Sequence, residues 1–489
     1  MKVLFVWIND SGEGTIPLGI SSLSAYLKEH GHQTSLFDTT FCKYDKGVMR
    51  EYREKIGIVK KSDLTSFGVR HEEVDIPKKF QESIDAFQPD LIAFSATSYA
   101  FQLGVDLLHE INVKNIPVIF GGPHSTVAPD ASIAPEQIDY ICVGEGEGAL
   151  LELCNRLESG GDTTNIKNIW AKKEGKVFKN ELRGPVDLDT LPFIDVSIFS
   201  EKHHFKPFVG KVYRIGYMEL SRGCPYNCTF CMARYLKETY EGQYYRRKNE
   251  ERVIDELLRL KNEYNINMIR FWDETFLAIQ IERLEKFAKL YKEKINLPFI
   301  IGTRPETITE KKVAIIKDMG CVAVSIGIES GNERIRREIL DRKYTNEHII
   351  RAFKLTKDAG IRRSSFIIIG IPTETRENIF ETIEITRKVK ADSLGMSYLM
   401  PYPGTKIRDY CIQHGYLEEN APIIDKSDGS TLNLPTISSE ELKGLFETFY
   451  LYLRAPKWLY PLIEMCEKKE PGYEKLYDIL ISRFGNLQK

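Results

Sequence analysis

The chain has 489 residues, with 68 lysines and arginines against 70 aspartates and glutamates, for a formal net charge of −2. That length predicts two or three domains, and the balanced charge, with no long single-sign block, argues against a nucleic-acid partner. No run of about eighteen apolar residues occurs, the opening "MKVLFVWINDSGEG" is too short for a signal peptide, and nine cysteines form an odd set, so a reducing, cytoplasmic location is expected.

Strand-like and helical runs alternate from the start: "KVLFVWI" (2–8), a helix over 19–30, "QTSLFD" (33–38), "LIAFSAT" (91–97), a helix near 102–112, "PVIFGG" (117–122) and "YICVGE" (140–145). Near-continuous apolar strands separated by helices predict an α/β fold, a parallel sheet covered on both faces, over 1–150. The charged stretch 41–80 lacks strand periodicity and reads as a helical surface insertion. The strands end in "NDSGEG", "SATS", "GGPHST" and "GEGEG". Such sheets take ligands beyond their carboxyl ends, where glycine admits close backbone approach.

A polar stretch with a small hairpin (151–182) leads into "LRGPVDLDTLPFIDVSIF" (182–199), where proline and aspartate break both periodicities. The connecting segment is therefore set at 151–210. From 211 to 404 six strand-like runs recur with helices between them: 212–221, 267–273, 299–304, 322–328, 364–370 and 394–400. Six βα units predict a partial or full (β/α) barrel with its chemistry at the strand C-termini. The remainder, 405–489, reads as mostly helical, and its aromatic-rich stretch 441–465 suits core packing, a wall for an apolar substrate, or contact with a membrane surface.

Directly after the first barrel strand, "SRGCPYNCTFCMAR" places Cys224, Cys228 and Cys231 in one loop. A structural zinc site normally wants four protein ligands, and no partner CxxC pair exists; Gly223, Pro225 and Asn227 suit a loop rather than a packed helix face. A [4Fe–4S] cluster usually takes four thiolates, so three leave one iron open for a small molecule. Phe230 stands where it can pack beside that molecule.

This CxxxCxΦC loop after the first strand of a (β/α) barrel resembles the radical S-adenosylmethionine (radical SAM) superfamily. The resemblance implies that Cys224, Cys228 and Cys231 ligate the cluster. It implies too that the open iron chelates S-adenosylmethionine and that electron transfer yields a 5′-deoxyadenosyl radical. "FWDETF" (271–276) lacks the common GGE triplet, leaving Asp273 and Glu274 both open as partners of the methionine ammonium. Arg304 in "TRPE" and Glu329 in "GIESGNERI" follow the third and fourth strands. "PYPGT" (401–405) matches the subgroup with an N-terminal cobalamin-binding domain, so residues 1–150 are expected to be Rossmann-like and to bind cobalamin.

Ser95 and Thr97 match that domain's S-x-L/T element, and Gly121 with Gly122 its GG element; Gly144 opens "GEGEG". Gly19 holds the glycine position of D-x-H-x-x-G, whereas Ile16 replaces the histidine. No cobalt ligand is expected from that loop, and His124 is expected to line the tail pocket or face solvent. The resemblance implies a methyltransferase acting on an unreactive carbon or phosphorus centre through the 5′-deoxyadenosyl radical and methylcobalamin. Rivals are ring formation, ring contraction or carbon–carbon coupling, a methylthiolating enzyme, and a cobalamin or iron–sulfur sensor without turnover. The expected partners are a small-molecule or lipid-like substrate and an electron donor such as flavodoxin or ferredoxin.

Overall fold

The computed structural model describes residues 1–43, 62–113 and 115–484. Much of the insertion expected at 41–80 lies outside these residues; its described end holds a bridge between Cys42 and Glu72 and the start of the helix Ile76–Phe87. The described residues form two compact units, 1–43, 62–113, 115–217 and 238–248 in one, and 218–237 and 249–484 in the other.

The first unit is built on β1 (Lys2–Trp7), β2 (Gln33–Asp38), β3 (Leu91–Ser95), β4 (Val118–Gly121), β5 (Tyr140–Cys142), β6 (Ile169–Lys173) and β7 (Lys176–Phe178), in the order β2-β1-β3-β4-β5-β6-β7. The first five are parallel, as their apolar runs predict; β6 and β7 add antiparallel, so the sheet continues past residue 150. Helices Leu18–Glu29, Ile76–Phe87 and Ser98–His109 cover it. Phe94 and Phe120 stack at 4.3 Å between ring centres within its core. Strand order reverses direction at β1 and β3, which leaves a crevice at their carboxyl ends.

The stretch 182–199 is without regular structure yet firmly held. Asp195 accepts from Ser24 Oγ at 2.6 Å and Lys28 Nζ at 2.7 Å, and its own N–H donates to the Ser21 carbonyl. Polar side chains here replace a ladder. β8 (Phe205–Phe208) and β9 (Lys211–Met218) follow as an antiparallel hairpin.

After the two-residue strands β10 (Ser221–Arg222) and β11 (Arg246–Arg247), the second unit contains β12 (Met268–Phe271), β13 (Phe299–Thr303), β14 (Cys321–Glu329), β15 (Arg362–Ile369) and β16 (Ser393–Tyr398). These five lie side by side in sequence order, all parallel, with helices between them. Trp272 N–H donates to the Met218 carbonyl at 2.8 Å, so the end of β9 stands beside the end of β12. The six strands expected from 211 onward form a curled, open half barrel.

Helices Lys406–Gln413, Ser439–Arg454, Tyr460–Glu467 and Tyr473–Phe484 make up the tail. Its aromatic stretch is mainly core: Leu445, Phe449 and Tyr452 are buried and Phe446 stacks on Tyr398. Trp458 stands well out, at 76% exposure, and no described helix is long and apolar enough to cross a membrane.

Beyond β15 the buried Glu374 accepts from the Gly370 and Ile371 N–H groups while its other oxygen has no partner, and burial pushes its pKa up to about 8. A carboxyl raised in the folded state gives its full stability below the ordinary glutamate range and loses it as pH rises toward that value. Glu374→Gln is therefore expected to flatten the fall in urea-unfolding free energy between pH 5 and 8, by up to about 1.4 kcal/mol per pH unit.

Candidate active site

The cysteine loop leaves β10 through Gly223, whose φ of +89° lies in the left-handed region that favours glycine. Thr229 pins the loop from behind: its N–H and Oγ donate to the carbonyls of Leu340 and Ile339 at 3.1 and 2.6 Å, and its carbonyl accepts from Ile407 N–H at 3.0 Å. Lys237 Nζ donates to the Pro225 carbonyl and Asn227 Oδ1, both at 3.0 Å. The backbone that carries Cys224, Cys228 and Cys231 is thus fixed by bonds that use none of the thiols.

All three thiols are reduced, and Cys224 and Cys228 are buried. Burial, then the charges of Glu274, Cys228 and Cys224, pushes Cys231 up to about 12; burial likewise raises Cys224, with Cys228 and Glu274 adding to it. The thiols therefore lie within electrostatic reach of one another. Thr275 Oγ is 3.6 Å from Cys224 Sγ, and Arg304 Nη1 donates to Cys228 Sγ at 2.9 Å. Arg304 is itself buried, lies 3.9 Å over the Tyr226 ring and donates through Nε to Glu306 at 2.7 Å.

The two acids after β12 have different surroundings. Asp273 is buried and accepts from Leu220 N–H at 3.0 Å and Ser221 Oγ at 2.5 Å, so it braces the chain that enters the cysteine loop. Glu274 is exposed to solvent yet closely surrounded by protein; burial, with Glu219 and Asp273 nearby, holds its pKa above the usual range. Glu329 ends β14 at a φ of +60° and is ion-paired with Arg342, whose guanidinium stands 5.9 Å over the Phe230 ring. Gly327 leaves the room that the Glu329 carboxylate occupies.

Tyr226, Thr275, Arg342 and Tyr344, over whose ring the Arg304 and Arg342 guanidiniums stand at 5.7 and 5.3 Å, escaped the sequence reading. Tyr226 and Thr275 lay inside the quoted motifs, whereas Arg342 and Tyr344 follow no strand end and carry no motif.

In the first unit, Gly19 opens the helix Leu18–Glu29 with nothing within 4 Å of a Cβ built there, and Ile16 is buried. Thr97 caps the helix Ser98–His109, accepting from Ala100 N–H. Gly122, at a φ of +90°, lies so close to Ala96 and Ser95 Oγ that a side chain would have to displace them; Gly121 meets only ordinary contacts. Gly144 instead makes room for the Tyr240 hydroxyl, which accepts from Glu145 N–H at 3.0 Å.

His124 follows the glycine pair; burial lowers its pKa to about 4, so its imidazole is neutral, and its ring meets Phe101 at 4.3 Å. His124 Nδ1, Ser125 Oγ and Trp7 Nε1 are buried without a partner at the carboxyl ends of β4 and β1. Such groups normally have partners, and their clustering at this end suits a bound molecule.

Residues 218–385 match the model of the radical SAM superfamily, and residues 6–154 match that of the B12-binding domain. An uncharacterized methyltransferase of Pyrococcus horikoshii is 31% identical over 387 residues, which cover 77% of this chain and 81% of that one. The chain belongs to the radical SAM superfamily, in its B12-binding branch.

Cytidylyl-2-hydroxyethylphosphonate methyltransferase of Streptomyces wedmorensis is 24% identical, over 83% of this chain and 79% of its own. The structure of the cobalamin-dependent radical enzyme OxsB, with aqua-cobalamin and S-adenosylmethionine bound, superposes with a TM-score of 0.67 at 16% identity, over 99% of this chain and 71% of that one. Membership makes this an enzyme and implies a [4Fe–4S] cluster, S-adenosylmethionine and cobalamin. The residues fit them: three neighbouring, desolvated thiols suit iron, which takes the place of their protons, and the unpartnered polar atoms of the first unit suit a corrinoid. Among the described residues, no three His, Cys, Asp or Glu side chains gather about a position for a single metal ion.

Proposed function

We propose that this radical SAM enzyme is a cobalamin-dependent methyltransferase acting on an unreactive carbon or phosphorus centre of a small molecule. The observation that carries this reading is the union, in one chain, of a B12-binding domain with a buried three-cysteine loop, shared with relatives named as methyltransferases. When bound, the cluster, S-adenosylmethionine and cobalamin supply the electron, the radical and the methyl group.

The chain's own residues bind and orient. Cys224, Cys228 and Cys231 hold the cluster, and Arg304 keeps a donor on the Cys228 sulfur. Glu274 takes the methionine ammonium, because Asp273 is already engaged by Leu220 and Ser221. Glu329, ion-paired with Arg342, and Phe230 would stand beside S-adenosylmethionine. Ser95, Thr97, Gly19, Gly121 and Gly122 shape the corrinoid crevice, whereas Gly144 serves packing against Tyr240. Ile16, where the motif has histidine, would offer a bound cobalamin no imidazole from that loop. The boundaries 1–150, 151–210, 211–404 and 405–489, a cytoplasmic location and a flavodoxin- or ferredoxin-type donor belong to the same proposal.

The test is product analysis of anaerobically reconstituted protein given reductant, cobalamin and candidate substrates. S-adenosylhomocysteine and 5′-deoxyadenosine formed in step with methylated product are expected. 5′-Deoxyadenosine with a converted but unmethylated product would transfer the enzyme to the ring-forming or coupling class. Absence of S-adenosylmethionine cleavage from protein with a full cluster would favour a sensor.

A further inference from the structure

The second unit has a cavity of about 380 Å³ whose lining includes Arg387, Lys390, Arg454 and Arg483 and, among the described residues, no aspartate or glutamate. It lies at the start of β16, at Ser393 and Leu394, whereas the cofactor residues gather at the opposite ends of the parallel strands. Along β16 the two ends are roughly 16 Å apart. It is therefore distinct from the site described above.

A bland account would be that cations gather wherever helices end. Helices Arg376–Val389, Ser439–Arg454 and Tyr473–Phe484 do end here. Each end supplies about half a negative charge, so the three together offset fewer than two of the three cations Arg387, Lys390 and Arg483. Carboxylates on nearby elements are committed elsewhere: Glu384 to Lys457 at 3.0 Å, Asp392 to Arg363 at 2.9 Å and Glu447 to Lys469 at 3.3 Å. Among the described residues, positive charge from Arg387, Lys390 and Arg483 is left over.

Arg387 is also held in place. Its Nη1 donates to the carbonyls of Tyr452 and Ala455 at 2.6 and 2.9 Å and to Tyr460 Oη at 3.3 Å, all uncharged acceptors. A guanidinium fixed by carbonyls keeps its full charge and is pre-organised for an oxyanion. The hydroxyls of Ser365, Thr386 and Ser393 add donors to the wall, and Phe484 supplies an apolar face.

We infer that this cavity binds the phosphoryl group of a small metabolite, at the end of the half barrel opposite the radical chemistry. The cations and hydroxyls take the phosphoryl oxygens; the volume and Phe484 leave space for an attached ring.

The experiment is anaerobic calorimetric titration of the full reconstituted chain with inorganic phosphate, pyrophosphate and AMP in chloride buffer. Saturable binding with Kd below about 1 mM is expected. The double variant Lys390→Gln/Arg483→Gln should weaken it at least tenfold while cleaving S-adenosylmethionine at the wild-type rate, and added salt should weaken the wild type. Tighter binding of AMP than of phosphate assigns a nucleotide; equal affinities assign the free anion. No saturable binding of any probe up to 10 mM, or an unchanged Kd in the double variant, overturns the inference.

Discussion

Cys228→Ala, reconstituted anaerobically, is expected to hold less than one iron per chain where the wild type holds about four, and to form no 5′-deoxyadenosine above background. Three thiolates leave no spare ligand, so losing one opens a second iron and the cluster is not retained. Cys228 carries a further burden, because its sulfur accepts from Arg304 Nη1. Without it, that buried guanidinium keeps Tyr226 and Glu306 as neighbours but loses its partner at the cluster. Far-UV circular dichroism and melting temperature separate this outcome from misfolding. The loop backbone is anchored through Thr229 and Lys237 rather than through the thiols, so the fold is expected to persist. Arg304→Lys should keep the iron yet shift the cluster's reduction potential, read by anaerobic titration.

Glu274→Gln is expected to weaken S-adenosylmethionine binding by roughly thirtyfold or more, equivalent to about 2 kcal/mol for one lost charge partner in crowded surroundings. Asp273→Asn should act differently, lowering stability through the Leu220 and Ser221 contacts before it affects affinity. The pH dependence supplies a second readout. Crowding, with Glu219 and Asp273 close by, holds the Glu274 carboxyl above its ordinary range. Only its ionised form pairs with an ammonium, so wild-type affinity should climb as pH rises toward neutrality, until the ligand's own amino group begins to deprotonate near pH 7.7–8. The Gln variant should be flat on the acid side. In the ligand-free protein the same raised carboxyl gives its full stability at low pH and loses it as pH rises, so added S-adenosylmethionine should stabilise most at neutral pH. An equal pH response in the wild type and the Gln variant would reassign the ammonium partner.

Much of this molecule is legible from local pattern. Apolar runs over 2–8, 33–38 and 91–97 became β1, β2 and β3, and the six runs after 211 became β9 and β12 to β16. A buried parallel strand advertises itself through continuous apolar residues, and a helix through its amphipathic stripe. The cysteine loop is legible for another reason. Three thiols within eight residues are close in space whatever the rest of the chain does, so their spacing alone suggests a cluster with an open iron.

Other features depend on residues distant in sequence. The sheet of the first unit continues into β6 and β7, because β6 found β5 as an antiparallel partner. The stretch 182–199, which has neither periodicity, is ordered through Asp195 and its bonds to Ser24 and Lys28. Tyr240 fills the space beside Gly144 from nearly a hundred positions away. "FWDETF" offered two adjacent acids with no ground to choose; Leu220 and Ser221 engage Asp273, whereas Glu274 is exposed to solvent. Arg342 reaches Glu329 and Phe230 without any motif of its own.

From residue order alone came the α/β class, the strand sequence and the three-cysteine loop, since each follows from the periodicity of burial or from ligands adjacent along the chain. Which acid braces the chain before the cysteine loop, which glycine packs against a tyrosine and where four cations converge were settled only on folding. A side chain's charge state and hydrogen-bond partners are set by the atoms that tertiary packing brings within a few ångströms of it, and those atoms are far away in the chain.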